Sequence, residues 1–350
     1  MGKDLLLVGS IPLDTVEDVF GQFGRTLGGH LVSLPDGEVG LRRHWISRVH
    51  YQVLAIHPDI EILRRPRPDD GVERLFPHDA SDSWQFRLRP GATHPRFDEP
   101  GWRLGFARDA VSSYFVFKTL RQQGVLPPHL RFQVALPTVN SMLPPRIFPE
   151  PGDVAKLTPG LTEILQSEIA TIVSNIPNDD LAIQFDCVTE IQDAYGGISK
   201  LPRDGAIERN LVQIRSILPA IPAQVAVGFH LCFGTLGGWP VFRPNDLGPA
   251  VTLANAFVEA SGRQVGWLHI PVLEDADDAF LAPLTGLKPQ GARVYLGVVH
   301  HMDGFAARVA AARRILPEFG IAGYCGFGRM PSSDMPRVLA EHLQAIAAIA

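Results

Sequence analysis

Cysteine, excess positive charge and long apolar runs are all scarce in this sequence. Three cysteines in 350 residues form an odd, sparse set, which argues against a disulfide framework and favours a reducing cytoplasm. The 32 Lys and Arg residues are outnumbered by 37 Asp and Glu residues, and the formal net charge is −5. The chain therefore offers no basic field to nucleic acid or anionic lipid.

Membrane-spanning and secretory segments are also absent from the pattern. No run approaches the roughly 20 apolar residues that a membrane span needs. The apolar stretch within the opening MGKDLLLVGSIP is too short for a signal peptide. We therefore expect a cytoplasmic protein with no nucleic-acid partner and no membrane partner, whose oligomeric state is unknown.

The sequence does contain a regular alternation of β-rich and helical segments. Hydrophobic residues make up 45% of the chain, and eight short runs are nearly continuous in them, as strands buried on both faces should be. Segments with helical spacing, such as LTEILQSEIATIVSNI and FAARVAAARRIL, lie between the runs. The eight runs are residues 5–10, 30–36, 131–138, 181–187, 224–232, 266–272, 293–300 and 321–326.

This alternation predicts an α/β fold, a single (β/α)8 TIM barrel spanning residues 1–350. A doubly wound open sheet is the alternative, but no G-x-G-x-x-G turn follows the first run. Residues 57–102, rich in Pro, Arg and Asp, form an irregular insertion after strand two and would lie on the face where barrel active sites are built. The insertion is either a lid or a solvated excursion, with a hairpin expected in SWQFRLRPG.

We expect five residues of the insertion to form a polar-aromatic flap that orders when substrate binds. These are Arg64, Arg65, Arg67, Trp84 and Phe86.

Polar or metal-ligating residues stand at the carboxyl end of nearly every predicted strand, where barrel side chains converge on one pocket. A purely structural barrel has no need of this arrangement. The candidates are Ser10, Asp36, Glu38, Thr138, Asp186, Cys187, Glu190, His230, Cys232, His269, His300, His301 and Cys325.

His230 and Cys232 are the strongest metal candidates. Residues two apart on a strand point to the same side, so both side chains can reach one ion. A lone buried cysteine is more often a small hydrophobic residue than a ligand. Cys325, at the end of the last strand, changes the balance, because one imidazole and two thiolates form a set that zinc prefers.

The segment SLPDGEVGLRRHWI could anchor a polar ligand with an aromatic or heterocyclic part, through the acidic Asp36 and Glu38, the basic Arg42 and Arg43, and the aromatic Trp45. The alternative is a turn followed by the acidic first turn of a helix. In HHMDG, His300 or His301 could shuttle a proton, since imidazole titrates near neutrality; a histidine that only bonds a neighbouring loop is the competing interpretation.

Several motifs resemble the catalytic barrel of cobalamin-independent methionine synthase, within the uroporphyrinogen decarboxylase and methionine synthase-like superfamily. HLCFG and YCGFGR resemble its zinc motifs, VGSIP its opening G-S-F-P, QFDCVTE its Q-I-D-E-P strand and LGVVHHMDG its seventh strand. The resemblance spans the whole chain as one barrel. It implies that His230, Cys232 and Cys325 bind zinc, and that Ser10 and Asp186 contact the polar end of a thiol substrate.

The sequence departs from the family pattern in two places. The glutamate that completes the zinc site has no clean counterpart, which leaves His269, Glu274 or water for the fourth position. Asp186-Cys187-Val188 replaces the family's Asp-Glu-Pro, so homocysteine does not follow from the resemblance.

The leading functional hypothesis is a zinc-dependent alkyl or methyl transferase that activates a small-molecule thiol as a zinc-bound thiolate. The thiol would attack an alkyl donor, with His300 or Asp186 stabilising the leaving group. Ser10, Asp36, Glu38, Trp45 and Glu190 are the expected substrate-binding residues.

Three other hypotheses remain open at the sequence level. One keeps the metal for a hydrolase or lyase that uses metal-bound water. Another is a metal-free enzyme of decarboxylase type, in which arginines and an aspartate hold a carboxylated substrate. A binding protein without catalysis is the last.

Overall fold

Eight parallel strands form the centre of the molecule, one from each of the predicted runs. The computed structural model describes residues 4–44, 46–97, 103–196 and 204–349, with the side chain of Pro151 excepted. The barrel strands are β1 (Leu5–Leu6), β2 (Ser33–Pro35), β5 (Arg131–Pro137), β6 (Leu181–Cys187), β7 (Ala226–Leu231), β8 (Trp267–Pro271), β9 (Arg293–Val299) and β10 (Gly320–Gly323). Two further strands, β3 (Ile60–Arg64) and β4 (Gln85–Leu88), form a separate antiparallel pair.

The strand order is that of a nearly closed barrel. Hydrogen bonding runs β1-β10-β9-β8-β7-β6-β5-β2, and a single parallel bridge between Leu5 and Leu31 joins the two ends. The predicted (β/α)8 TIM barrel is therefore confirmed.

Burial on both faces explains the continuous apolar runs. On β6, Phe185 lies against Phe229 of β7, with ring centroids 6.2 Å apart, while Ala182 belongs to a small cluster with Trp267 and Tyr295 of neighbouring strands. Since successive side chains alternate between faces, Gln184 and Asp186 share the inward face with Ala182.

Two inward glutamines tie the short strand β1 to the rest of the barrel. Gln133 donates to the carbonyls of Leu7 and Val8 at 3.0 Å, and Gln184 donates to Val8 O at 2.6 Å. The Trp267 indole in turn donates to Gln184 Oε1 at 3.2 Å. These buried amides have partners, as low-dielectric surroundings require, and they fix the height at which β1 ends.

Helices surround the barrel, and those predicted from helical spacing are present. A π-helical turn, Phe20–Gly24, joins the first two. Within the described residues, no helix is long and apolar enough to cross a bilayer. The helices are α1 (Val16–Val19), α2 (Arg25–Leu27), α3 (Ser47–Gln52), α4 (Phe106–Gln122), α5 (Val139–Met142), α6 (Pro151–Asn175), α7 (Thr189–Tyr195), α8 (Ala206–Ile217), α9 (Gly248–Ala260), α10 (Asp278–Leu281), α11 (Phe305–Ile315) and α12 (Met335–Ile349).

The described part of the insertion is more ordered than the sequence suggests. The expected hairpin inside SWQFRLRPG is wrong, because β4 pairs instead with β3, about twenty residues earlier. Phe86 donates its backbone N–H to Ile147 O at 2.8 Å, and the Leu88 N–H reaches Asp153 of α6 at 2.8 Å. The insertion is thus hydrogen-bonded to the elements that follow β5.

The aromatic part of the predicted flap is in the core. Trp84 and Phe86 are buried in the main apolar cluster and stack on each other with centroids 5.7 Å apart. Arg64 donates to Ser83 O, and Arg65 lies over the Trp84 ring at 5.6 Å. These contacts hold the two aromatic rings in the core, and ordering of the polar part of the flap on substrate binding stays a prediction.

Candidate metal and active site

His230, Cys232 and Cys325 converge at the carboxyl end of the barrel. His230 lies near the end of β7, Cys232 directly follows that strand, and Cys325 follows β10. The two sulfur atoms are 3.2 Å apart, and Cys325 Sγ is 3.7 Å from His230 Nε2. All three ligand atoms lie within 4.8 Å of one another.

This geometry fits a shared metal ion. Ligand atoms about 2.0–2.3 Å from a tetrahedral ion lie about 3.3–3.8 Å from each other. The 3.7 Å between Cys325 Sγ and His230 Nε2 lies in this range, and the 3.2 Å between the two sulfur atoms is slightly shorter. The Gly234 N–H donates to Cys232 Sγ at 3.3 Å, a contact that favours a charged sulfur. The donor set and its spacing could therefore hold a metal ion.

A second histidine fixes the protonation of the first. His230 and His269 are paired in register on β7 and β8, and their Nδ1 atoms are 2.6 Å apart. His269 Nε2 is 3.0 Å from Gly323 O, a carbonyl that can only accept. His269 therefore donates through Nε2 and accepts at Nδ1, so His230 donates through Nδ1 and keeps an unprotonated Nε2 facing Cys325.

Burial keeps this pair neutral and the Cys325 thiol protonated while no cation is bound. Burial, with His269 nearby, lowers the pKa of His230 well below its usual value, and burial lowers the pKa of His269 to about 4. The hydrogen bond with Cys232, together with burial, raises the pKa of Cys325. A metal ion would supply the charge that two thiolates need in such a place.

His269 was expected as a metal ligand, and the geometry does not match that role. Both of its ring nitrogens are engaged, one with His230 and one with Gly323. Glu274, the other candidate for the fourth position, is exposed and lines a neighbouring cavity. The cluster itself borders a cavity at the barrel mouth, so its remaining side faces space that a substrate could enter.

The segment that carries Cys325 is held against the loop after β1. Phe327 N–H donates to Ser10 O at 2.7 Å. A Cβ on Gly328 would come within 2.5 Å of Arg43 O and 2.7 Å of Ser10 Cβ. Only glycine fits this close approach, which explains the C-G-F-G pattern and places Ser10 beside the sulfur cluster.

Ser10 and Asp186 both line the cavity, as expected for substrate contacts. Asp186 is in register with His230 on the adjacent strand and accepts from Gln184 at 2.8 Å. Burial, with the nearby Glu38, raises the pKa of Asp186 well above its usual value. Ser10 Oγ donates to Glu38 Oε2 at 2.6 Å.

Glu38 stands behind Ser10 and does not line the cavity that borders the sulfur cluster. Burial raises its pKa to about 7, against a lowering hydrogen bond from Ser10. Its backbone has a φ of 48°, in the left-handed region that non-glycine residues seldom adopt. Ser10 and Glu38 together form a polar link between the cavity and the interior.

Asp36, expected to bind substrate, is engaged elsewhere. Its carboxylate accepts from Arg42 at 2.8 Å, from Ser113 Oγ at 2.6 Å and from the Glu38 N–H at 2.9 Å. It lines a separate cavity together with Arg48. The sequence could not show that a cation six residues away would pair with it.

Glu190 is also withdrawn from the cavity, because α7 turns it inward. The carboxylate is fully buried and accepts from Thr138 Oγ1 and, at 2.8 Å, from Ser141 Oγ. Ser141 lines the cavity, so Glu190 positions a lining residue instead of contacting substrate.

His300 lies in a different cavity from the cysteines. Its Nε2 is 2.7 Å from Val272 O, and its ring stacks on Tyr324 with centroids 4.8 Å apart and approaches Trp239 at 5.1 Å. It lines the neighbouring cavity with Glu274. The expected catalytic role of His300 therefore does not match its position, and His301 pairs with Glu341 on the surface.

Two other sequence candidates need separate mention. Cys187 is buried in β6 with its sulfur 3.7 Å from Phe185 O, outside the cluster. Trp45 lies outside the described residues.

Three arginines line the same cavity as the sulfur cluster, and the sequence predicted a ligand-binding role only for Arg43 among them. Arg43 precedes α3, Arg146 lies between α5 and α6, and Arg329 follows Cys325 by four residues. Of the other two, only Arg329 could have been found from a motif, because it ends the segment YCGFGR that contains Cys325. Arg43 lies in a short 3-10 helix and Arg146 in the segment between α5 and α6, and the sequence does not specify where either segment meets the cavity.

Comparison with known proteins gives structural matches only. No protein-family model and no curated protein matches this chain. A solved B12-independent methionine synthase from a Shewanella species, in complex with selenomethionine, is 13% identical with a TM-score of 0.59; the match covers 98% of this chain and 95% of that one. A Listeria monocytogenes structure, provisionally described as a vitamin-B12-independent methionine synthase, is 16% identical with a TM-score of 0.54, covering 97% of this chain and 96% of that chain.

These matches extend over nearly the full length of both partners. The resemblance predicted from the motifs is therefore confirmed at the level of the fold.

Proposed function

We propose that this protein transfers a methyl or other alkyl group to a small-molecule thiol, with zinc bound by His230, Cys232 and Cys325. The observation that carries the proposal is the convergence of two thiols and an unprotonated imidazole nitrogen on one side of a cavity. The methionine synthase structures that share the fold support the same chemistry. Three free cysteines also suit a reducing cytoplasm.

Asp186 and Ser10, which line the cavity beside the cluster, would have separate roles in the reaction. Zinc in this site would supply the positive charge that keeps a substrate thiol deprotonated at neutral pH. Asp186, held by Gln184 and raised in pKa, would meet the polar end of the thiol or give a proton to the departing group of the donor. Ser10 would orient the substrate while anchored to Glu38.

A second candidate deserves a test because of the arginines. Arg43, Arg146 and Arg329 share the cavity with Asp186, which is the set expected of a metal-free enzyme acting on a carboxylated substrate. That function would leave the sulfur cluster without a purpose. Zinc transferase chemistry accounts for the cluster and is therefore preferred.

Metal content separates the two candidates. Protein purified without added metal should contain about one zinc per chain, and Cys232→Ser should lose most of it together with thiol alkylation. Cys187→Ser is the matched control, since Cys187 is equally buried but outside the cluster, and it should retain the metal.

Two results would contradict the proposal. One is wild-type protein that binds no zinc even when zinc is supplied. The other is a folded Cys232→Ser protein with full metal content and full alkylation activity. In the first case the arginine-based function would take precedence.

A further inference from the structure

We infer that the acceptor thiol carries an oxyanion (a carboxylate, sulfonate or phosphate) and that Arg43, Arg146 and Arg329 bind it. The inference rests on the proposed function for the thiol end of the substrate. The oxyanion end stands on separate observations and is tested separately.

The first observation is that three arginines line one cavity without counter-ions. Other arginines of the described chain, such as Arg42, Arg48 and Arg209, form ion pairs with carboxylates. Within the described residues, Arg43, Arg146 and Arg329 form none, although all three line the cavity that contains the sulfur cluster. Three like charges in one place repel one another unless an anion joins them.

The second observation is that the arginines affect one another. Burial and the charge of Arg329 lower the pKa of Arg146 to about 10. Burial and the charges of Arg329 and Arg43 lower the pKa of His44, which stacks on Phe76 nearby, to about 4. The cavity mouth therefore has a concentrated positive potential, unlike the acidic balance of the whole chain.

The third observation is that two of the guanidinium groups are held in place with donors to spare. Arg146 donates Nε to Ser83 Oγ at 3.1 Å, and Arg329 donates Nη1 to Thr235 Oγ1 at 2.5 Å. Each contact uses one of five N–H donors. The remaining donors can bind an oxyanion in the two-pronged manner that arginine favours.

A buried amide adds to the same site. Gln192 lines the cavity and is buried, and its Oε1 has no hydrogen-bond partner. An unpaired buried acceptor costs free energy, so a ligand with a donor group near the anion would relieve it. The cavity borders both the arginines and the cysteines, and a short molecule with a thiol at one end and an oxyanion at the other would span it.

Two thiols of equal length test the inference: 3-mercaptopropionate, which is an anion, and 3-mercaptopropan-1-ol, which is neutral. By calorimetric titration into zinc-loaded protein, the anionic thiol should bind about tenfold more tightly or better. Arg146→Gln and Arg329→Gln should each lower its affinity by about tenfold and leave the neutral thiol unaffected. Arg146→Lys keeps the positive charge but loses the planar guanidinium, so its affinity for the anionic thiol should lie between those of the wild type and Arg146→Gln.

Arg243→Gln is the matched control. Arg243 lines the neighbouring cavity and pairs with Asp275 on the surface, so its loss should not change the affinity for either thiol. Equal binding of the two thiols by the wild-type protein would overturn the inference. So would arginine variants that weaken both thiols equally, provided that circular dichroism shows them folded.

The anion end is also tested without metal or thiol. Inorganic phosphate and butyrate should bind to metal-free wild-type protein and not to the Arg146→Gln/Arg329→Gln double variant. If the protein takes up no zinc but shows this pattern, the proposed transferase fails while the oxyanion site stands. If the double variant binds both anions as well as wild type does, the oxyanion site fails whatever the metal result.

Discussion

His230 owes its readiness as a ligand to its neighbour. A neutral imidazole has one protonated nitrogen, and the partner of that nitrogen decides which one is free. The Gly323 carbonyl orients His269, and His269 orients His230. This relay of two rings takes the place of the carboxylate or carbonyl that usually supports a metal-bound histidine.

Removing the relay should weaken metal binding without removing a ligand. We predict that His269→Phe, which keeps the ring but loses both nitrogens, lowers zinc affinity by roughly 10- to 100-fold. Competition with a chromophoric chelator measures this directly. His300→Phe is the control, because His300 also bonds a backbone carbonyl but lies in the neighbouring cavity. Unchanged zinc affinity in His269→Phe would show that His269 does not support the metal site.

Glu38 should make the protein less stable as the pH rises. Its pKa is about 7 in the folded chain and 4.5 ordinarily, so the folded state holds the proton more tightly than the unfolded state. The contribution of Glu38 to the free energy of unfolding is therefore fully present below pH 4.5. It decreases as the pH rises from 4.5 to about 7, and it is lost above that value.

The neutral variant Glu38→Gln tests this sign while keeping an acceptor for Ser10. At about pH 8 it should be more stable than wild type by on the order of 1–2 kcal/mol, allowing for partial exposure, and near pH 4 the two should match. Urea unfolding at both pH values measures the difference. A variant that is less stable at about pH 8 would show that the ionised carboxylate is favoured in the fold.

At the scale of elements, strands were the most predictable part because the barrel buries both of their faces. That burial leaves a continuous apolar run, which the sequence displays. Helix α4 was missed, since its buried residues Phe106, Ala110, Tyr114 and Phe117 have helical spacing but Phe115, 72% exposed, and adjacent serines interrupt the pattern. The register of β3 with β4 was missed for a different reason: pairing across about twenty residues leaves no local signal.

The candidate site shows the same division between local and distant information. The cluster of His230, Cys232 and Cys325 could be predicted, since strand periodicity and closure of the barrel fix where strand ends meet. His300 also ends a strand, but Tyr324 and Trp239 stack against it and it lines another cavity. The arginines lie in segments between the strands, whose paths depend on contacts that only the folded chain contains.

At the scale of the whole molecule, the two ends of the barrel have different tasks. Trp267 and Tyr295 pack inside the barrel with small residues, and the inward glutamines and Asp186 follow above them. Charged and sulfur-containing groups are concentrated at the opposite end. Apolar packing at the amino ends of the strands stabilises the barrel, while loops at the carboxyl ends carry the functional residues. A barrel built in this way can vary its chemistry without losing stability.

The insertion shares its apolar core with the barrel. Phe86 packs near Trp84, Phe148 and His50, with ring centroids 5.7 to 6.5 Å apart. Phe86, Trp84 and Phe148 are all part of the main apolar core. An insertion that only covered the surface would unfold independently of the barrel. One that shares the core should unfold together with it.

We therefore predict that Phe86→Ala destabilises the entire barrel by about 3–5 kcal/mol, the usual cost of truncating a buried phenylalanine. Urea unfolding followed by far-ultraviolet circular dichroism and by tryptophan fluorescence should give one coincident transition, shifted to lower urea. Phe115→Ala, at an exposed position of α4, should change stability by no more than about 0.5 kcal/mol. The contradicting result would be a barrel transition at the wild-type urea concentration, with a separate, earlier transition in tryptophan fluorescence. The insertion would then unfold independently, and the hydrogen bonds from β4 to Ile147 and Asp153 would not couple it to the barrel.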